Sequence, residues 1–183
     1  MPDRTRGGAL LAAARAAIAH ALGLEPAPRI DADSSLREPG SSFVTLTLDG
    51  SLRGCIGSLS FDRPLLDDVR QNAVAAALGD RRFPPLGRDE LAAVRIEVSV
   101  LSPPEPLPAA ATLDEAAALL EPGVDGVVLE RGWARGVFLP QVWTGLPQPL
   151  DFLRQLRRKA GLPATGWDAD TRLWRFAVEK WSE

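Results

Sequence analysis

Two β-strand patterns joined by Asp49-Gly50 occupy residues 43–59 of the sequence. Residues 43–48 alternate so that Val44, Leu46 and Leu48 share one face, and an apolar-rich run follows from residue 52 to residue 59. Asp-Gly is a preferred pair in the two-residue turns that connect antiparallel strands. The pattern therefore predicts a β-hairpin, and with it a fold that contains antiparallel sheet.

The other strand and helix patterns support the same fold class. Strand patterns cover residues 94–100, 126–130, 136–139 and 172–181, and the second and third of these predict a hairpin with a five-residue loop. Helix patterns cover residues 9–22, 64–78, 89–93, 112–120 and 150–160. Four prolines in 102–108 predict a linker or an edge excursion. Because helices separate only some of the strands, we predict an α+β fold with a mostly antiparallel sheet and packed helices.

Composition excludes several classes of protein. The 183 residues are 45% hydrophobic and 25% charged, which excludes a disordered chain and predicts one domain or two small ones. Twenty-one Lys and Arg against 24 Asp and Glu give no basic excess, so general nucleic-acid binding is not expected. Arg15 and His20 interrupt the apolar run from Ala9 to Leu24, and no other window is long enough for a membrane span. We therefore expect a cytoplasmic protein without membrane association.

The single His and single Cys limit the available chemistry. A zinc site built from the usual nitrogen and sulfur ligands cannot be assembled from them, so no metal is expected. His20 lies opposite the apolar arc of the helix predicted over 9–22. We expect it to be an exposed surface residue rather than a general base.

Cys55 lies in the segment from Leu52 to Leu59, between Gly54 and Gly57. Two glycines weaken a strand, which predicts close backbone approach by a ligand, a bulge or a crossing helix. In a regular strand, Arg53 and Cys55 share a face about 7 Å apart, where a guanidinium favours the nucleophilic thiolate. The alternative is that Cys55 packs in the sheet as a buried residue.

The sequence Leu-Arg-Gly-Cys-Ile-Gly over residues 52–57 resembles the signature of the AMMECR-type domain family, called AmmeMemoRadiSam system protein A in prokaryotes. Further blocks resemble the family in the same order, over about residues 9–181. These blocks are Ser42–Leu46, Asp80 with Arg82–Leu86, Ile96–Pro103, Gly136–Val142 and Phe152–Leu162.

The resemblance implies one AMMECR-type domain over residues 1–183, in which both termini build a larger lobe and a cleft separates it from a smaller lobe. It also implies a pathway shared with a Memo-like protein and a radical-SAM protein. It implies neither a reaction nor a cofactor, and the activity of the family is unsettled.

Two function classes stay open. In the first, the chain is a cysteine-dependent small-molecule or modification enzyme with Cys55 as nucleophile and Asp80 as base, provided that burial raises the pKa of Asp80. In the second, it is a non-catalytic binding or scaffold module that docks the Memo-like and radical-SAM proteins or presents a substrate. Arg82 is either an anion-binding fork or a clamp with Asp80, and Gln141 is either a backbone cap or a ligand contact. The candidate binding residues are Arg53, Gly54, Gly57, Arg82, Phe83 and Gln141.

Overall fold

The computed structural model describes residues 4–26 and 34–183. The chain divides into two compact units, residues 1–101 with 179–183 (unit 1) and residues 102–178 (unit 2). Each unit holds a four-stranded sheet, and the paired strands in both sheets run antiparallel. The prediction of an α+β fold with mostly antiparallel sheet is confirmed.

Unit 1 packs two helices on one sheet. Its elements are α1 (Arg4–Ala21), a 3-10 helix (Ser34–Arg37), β1 (Ser41–Leu48), β2 (Ser51–Gly57), α2 (Leu65–Leu78), β3 (Arg95–Leu101) and β8 (Val178–Ser182). The sheet order is β2-β1-β3-β8, so β2 is an edge strand. Leu10, Ile18, Val44, Val69 and Val98 are fully buried in its core. The two helices therefore cover the face of β1 and β2 that contributes side chains to this core.

The hairpin of β1 and β2 forms as predicted. Asp49 and Gly50 have φ of 51° and 77°, the left-handed values that a type I′ turn requires. Ser51 lies opposite Leu48, so these two residues form the whole loop. The turn residues and the alternation together set the hairpin.

Helix α1 starts at Arg4, five residues before the predicted start. Gly7 disfavours a helix by propensity, but a Cβ at Gly7 would lie 2.1 Å from the indole of Trp181. Packing of the first helical turn against β8 therefore overrides the low helix propensity. His20 is exposed on this helix, as predicted.

Unit 2 packs two helices around the second sheet, whose order is β4-β7-β5-β6. Its elements are β4 (Glu105–Pro106), α3 (Leu113–Ala118), β5 (Gly126–Arg131), β6 (Ala134–Phe138), a 3-10 helix (Pro140–Thr144), α4 (Pro149–Lys159) and β7 (Arg172–Phe176). The rings of Trp143 and Phe152 stack in its core with centroids 3.7 Å apart. The proline-rich stretch supplies only the two-residue edge strand β4, consistent with the predicted edge excursion.

Three local predictions are wrong. The loop between β5 and β6 has two residues, Gly132 and Trp133, because Arg131 and Ala134 are still paired. Residues 88–93 form consecutive turns rather than a helix. The alternating segment 172–181 is two strands in different sheets, separated at Ala177.

None of the helices in residues 4–26 and 34–183 has both the length and the apolar character that a membrane crossing needs.

Candidate functional site

The two glycines beside Cys55 are explained by packing within unit 1. A Cβ on Gly54 would lie 2.1 Å from the backbone oxygen of Ala76 in α2, and a Cβ on Gly57 would lie 2.2 Å from the ring of Phe43. Gly57 lies directly opposite Phe43 in the β1–β2 register. Of the three causes predicted for the glycines, the crossing helix accounts for Gly54, which also borders a β-bulge at Arg53. An aromatic side chain accounts for Gly57. Neither position needs a ligand.

Strand β2 is not regular at Arg53. Gly54 pairs with Leu46, and Leu52 pairs with Thr47, so Arg53 is one extra residue in a β-bulge. The prediction that a regular strand carries Arg53 and Cys55 on one face is therefore wrong in its geometry.

The guanidinium of Arg53 binds the loop that follows α2. Its Nε and Nη2 each donate to a carboxylate oxygen of Glu90 at 2.9 Å, and its Nη1 donates to the carbonyl of Pro84 at 2.8 Å. The hydrogen bonds with Glu90 raise the pKa of Arg53 and, together with the Gly87 N–H, lower the pKa of Glu90. Arg53 is thus a tether between β2 and this loop rather than an immediate partner of the thiol.

Asp80 and Arg82 occupy the free edge of β2 at Cys55. The Cys55 N–H donates to Oδ2 of Asp80 at 2.9 Å, and Nη2 of Arg82 donates to the Cys55 carbonyl at 3.2 Å. The two side chains are joined by a pair of hydrogen bonds, from Nε to Oδ1 at 2.9 Å and from Nη2 to Oδ2 at 2.6 Å. Both outward-facing backbone groups of Cys55 are therefore satisfied, as a further strand would satisfy them. The clamp alternative for this pair matches the geometry.

The same contacts determine the charge state of Asp80. The Arg82 side chain and then the Cys55 N–H hold the pKa of Asp80 far below its ordinary value, and these hydrogen bonds outweigh desolvation of a carboxylate that is 7% exposed. A general base near neutral pH needs a raised pKa. The contacts of Asp80 therefore do not favour the raised pKa on which its prediction as a base depends, and its carboxylate instead accepts from the Cys55 N–H.

The Cys55 side chain lies on the sheet face away from the helical core of unit 1. Cys55 pairs with Thr45, which alternates with the fully buried Val44 and Leu46. The thiol is half-buried, and Oγ1 of Thr45 donates to Sγ at 3.4 Å. The thiol thus has a hydroxyl donor, and the neighbouring guanidinium of Arg82 is paired with the Asp80 carboxylate.

The remaining candidates differ in their surroundings. Phe83 is half-buried, and the guanidinium carbon of Arg82 lies 5.5 Å from its ring centroid, so the ring belongs to the clamp. Gln141 belongs to unit 2, where it is exposed in the 3-10 helix Pro140–Thr144. The structure thus brings Arg53, Cys55, Asp80, Arg82 and Phe83 together in unit 1.

Sequence reasoning missed a buried polar network beside this site. Asp68 is fully buried and accepts hydrogen bonds from the N–H and hydroxyl of Ser42, the hydroxyl of Ser58 and the amide of Asn72. These bonds join the start of β1, the segment after β2 and the first half of α2. The helical spacing of these residues could have revealed the network. Leu65, Asp68 and Asn72 recur at the helical period and lie on the buried side of α2.

Among the described residues, no three His, Cys, Asp or Glu side chains lie in a group that could hold a metal ion.

Comparison with known proteins identifies the family. The AMMECR1 family model matches residues 11–181. The chain belongs to the AMMECR1 family. A protein of Methanothermobacter thermautotrophicus is 42% identical over 99% of this chain and 96% of its own length. A protein of Thermotoga maritima is 41% identical over 86% of each chain.

A solved structure has the same fold. It is the crystal structure of the uncharacterized protein PH0010 from Pyrococcus horikoshii, with 35% identity and a TM-score of 0.85. It covers 99% of this chain and 93% of its own. These AMMECR1 relatives have generic names, so the comparisons assign the family and the fold and no reaction.

Proposed function

We propose that this AMMECR1 protein is a cysteine-dependent small-molecule or modification enzyme in which the Cys55 thiol reacts as nucleophile. The observation that supports this most is the clamp on the Cys55 backbone. Asp80 and Arg82 hold both backbone polar groups of a residue whose side chain is half-buried and hydrogen-bonded to Thr45. Fixing the backbone on two sides reduces the positional freedom of the thiol, which is what a reacting group needs.

The surroundings of the thiol also include polar side chains. Thr45 donates to sulfur, and the guanidinium of Arg82 donates to the carbonyl of the same cysteine. Arg82 is 58% exposed, so it can also contact an anionic group of a substrate.

The test is formation of a covalent adduct at Cys55. The native protein is incubated with a small-molecule extract of its source cells, and the intact mass is measured. We expect one discrete mass increase on the wild-type chain and none on Cys55→Ser. The chain unfolded in denaturant is the matched control, because it keeps the thiol and loses the clamp. An unmodified wild-type chain, or equal modification of the unfolded chain, would contradict the proposal.

A second candidate is a non-catalytic module, and one observation favours it. Asp80, whose carboxylate accepts from the Cys55 N–H, has a strongly lowered pKa, which makes it a weak general base near neutral pH. In this case the chain docks a Memo-like protein and a radical-SAM protein of the shared pathway that the family resemblance implies, or presents a substrate to them.

Mixing experiments separate the two candidates. The purified chain is combined with the Memo-like and radical-SAM proteins of the same organism, and complex mass is measured by light scattering after size exclusion. If the chain is a docking module, we expect a stable complex whose mass is the same with Cys55→Ser. We also expect no covalent adduct at Cys55. A failure of all three proteins to associate would contradict docking.

A further inference from the structure

The sheet face that carries the Cys55 thiol holds an aromatic ring and a hydroxyl close to it. Cys55 lies opposite Thr45 in the register of β2 and β1. Two residues along these strands, Gly57 lies opposite Phe43, which in turn lies opposite Ser99 of β3. Side chains two residues apart in a strand point to the same side of a sheet. Phe43 and Ser99 therefore share the face of the thiol, away from the helical core of unit 1.

The ring of Phe43 lies over β2 next to Cys55. Its Cγ and Cδ1 atoms are each 2.2 Å from the position that a Cβ on Gly57 would take. The ring thus fills the side-chain position of Gly57, which is about 7 Å from Cys55 along the strand. Phe43, Gly57 and Cys55 are half-buried, so this part of the face keeps accessible surface. The thiol has an aromatic ring on one side and the Thr45 hydroxyl on another.

Ser99 adds a polar group without a partner to the same face. The residue is 6% exposed, and its neighbours Val98 and Val100 belong to the helical core on the other side of the sheet. Within residues 4–26 and 34–183, its hydroxyl makes no hydrogen bond, although its oxygen keeps accessible surface. A largely buried hydroxyl without a partner is costly. A polar group of a ligand that reaches Ser99 would remove this cost.

We propose that the substrate of Cys55 carries a flat apolar ring next to its electrophilic carbon. This inference rests on the proposed function of Cys55 as a nucleophile and adds the class of substrate. The substrate ring packs against Phe43 while the thiol attacks, and a polar group on the far side of the ring forms a hydrogen bond with Ser99. Contact between the two rings holds the electrophilic carbon near sulfur and reduces the entropy that the reaction step must lose.

Addition of the thiol to such a substrate needs no co-reactant. The simplest electrophile is a carbon–carbon double bond conjugated with a carbonyl group. Sulfur forms a bond to one carbon, the π bond between the two carbons breaks, and the thiol proton ends on the second carbon. Nothing is oxidised or reduced overall, and no group leaves.

Two maleimides that differ only in their apolar group test the preference for a ring. N-phenylmaleimide and N-methylmaleimide are added separately to the full chain, native and unfolded in urea, and addition is followed by intact mass. Because Cys55 is the only cysteine, the mass increase reports on it alone. The ratio of the two rate constants in the unfolded chain gives the intrinsic difference between the reagents. We expect the ratio in the native chain to be about three- to tenfold larger, as one aromatic contact allows.

Variants link this preference to the named side chains. Phe43→Tyr keeps a ring and should keep the native ratio, whereas Phe43→Leu should bring the ratio to within about twofold of the unfolded value. For Ser99, the third probe is N-(4-hydroxyphenyl)maleimide. Relative to N-phenylmaleimide, and after the same correction for the unfolded chain, it should react about threefold faster with the wild type and equally fast with Ser99→Ala.

Three results would overturn the proposed substrate class while leaving Cys55 as a nucleophile. The first is a native phenyl-to-methyl ratio equal to the unfolded ratio, and the second is the same ratio in Phe43→Leu and Phe43→Tyr. The third is an unchanged preference for the hydroxyphenyl probe in Ser99→Ala. A native chain that reacts with none of the maleimides would instead contradict the nucleophile itself, and the substrate class with it.

Discussion

Gly54 lacks a side chain because the backbone of helix α2 lies where a Cβ would be. The nearest atom is the Ala76 carbonyl oxygen at 2.1 Å, and a helix backbone cannot move aside as a flexible side chain can. Gly57 differs, because the neighbour at 2.2 Å is the ring of Phe43. The sequence indicated that both glycines matter but could not distinguish these two neighbours.

Gly54→Ala should therefore destabilise the protein by about 1–3 kcal/mol or more, because backbone must shift to admit the methyl group. The measurement is the free energy of unfolding in urea. Gly8→Ala is the control, since Gly8 lies exposed in α1 with nothing within 4 Å of its Cβ position, and it should stabilise by roughly 0.5–1 kcal/mol. If Gly54→Ala leaves the free energy of unfolding unchanged, then α2 does not approach β2 this closely.

The lowered pKa values of Asp80 and Glu90 predict how stability depends on pH. For a carboxyl whose pKa is lower in the folded chain, the stabilisation is present above the unfolded value of about 4 and is lost as pH falls through the folded value. Urea unfolding should show declining stability below about pH 4. Asp80→Asn and Glu90→Gln should be less stable at neutral pH and should lose less on acidification. If the stability of both variants falls on acidification as much as that of the wild type, the assignment of lowered pKa values to Asp80 and Glu90 is contradicted.

At the scale of elements, the edge strand β2 depends on the loop that follows α2. Arg53 and the Cys55 N–H donate to the loop, while Arg82 of the loop donates to the Cys55 carbonyl, so the two sequence motifs bind each other in both directions. At Cys55, the backbone groups on the free edge of β2 are bound by side chains instead of a further strand.

Asp80→Ala should speed hydrogen exchange of the Cys55 amide by about tenfold, because the amide loses its acceptor. Exchange is followed by NMR. Asp89→Ala, at an exposed carboxylate in the turns at residues 88–93, is the control and should leave the Cys55 amide unchanged. Equal exchange in both variants would show that Asp80 does not cap this strand.

Elements set by local sequence were predicted, and elements set by distant contacts were not. The β1–β2 hairpin and β3 follow from alternation and an Asp-Gly turn, which are readable over a few residues. The break between β7 and β8 was missed because the alternation continues across Ala177. There the Ala177 N–H donates to the hydroxyl of Ser102, so a distant residue ends the strand.

The site shows the same division at the scale of the whole molecule. Cys55 and the Asp80–Arg82 pair were identified from their motifs, but Arg53 was assigned the wrong geometry because a β-bulge interrupts the strand there. Its partner, Glu90, was missed because it is 37 residues away. The lowered pKa of Asp80 comes first from Arg82, two residues along the chain, and then from the Cys55 N–H, a donor that only the fold brings to it. Each unit has its own hydrophobic core, and all of these residues belong to unit 1.

The central claim is that folding presents the Cys55 thiol for reaction beside Arg82. Since Cys55 is the only cysteine, iodoacetamide labelling near neutral pH reports on it alone. We predict that the native chain is labelled without unfolding. Arg82→Gln should label about two- to fivefold more slowly, and Arg81→Gln, at its exposed neighbour, should label at the wild-type rate. Labelling that begins only when the chain unfolds would contradict the account and leave Cys55 as a packing residue.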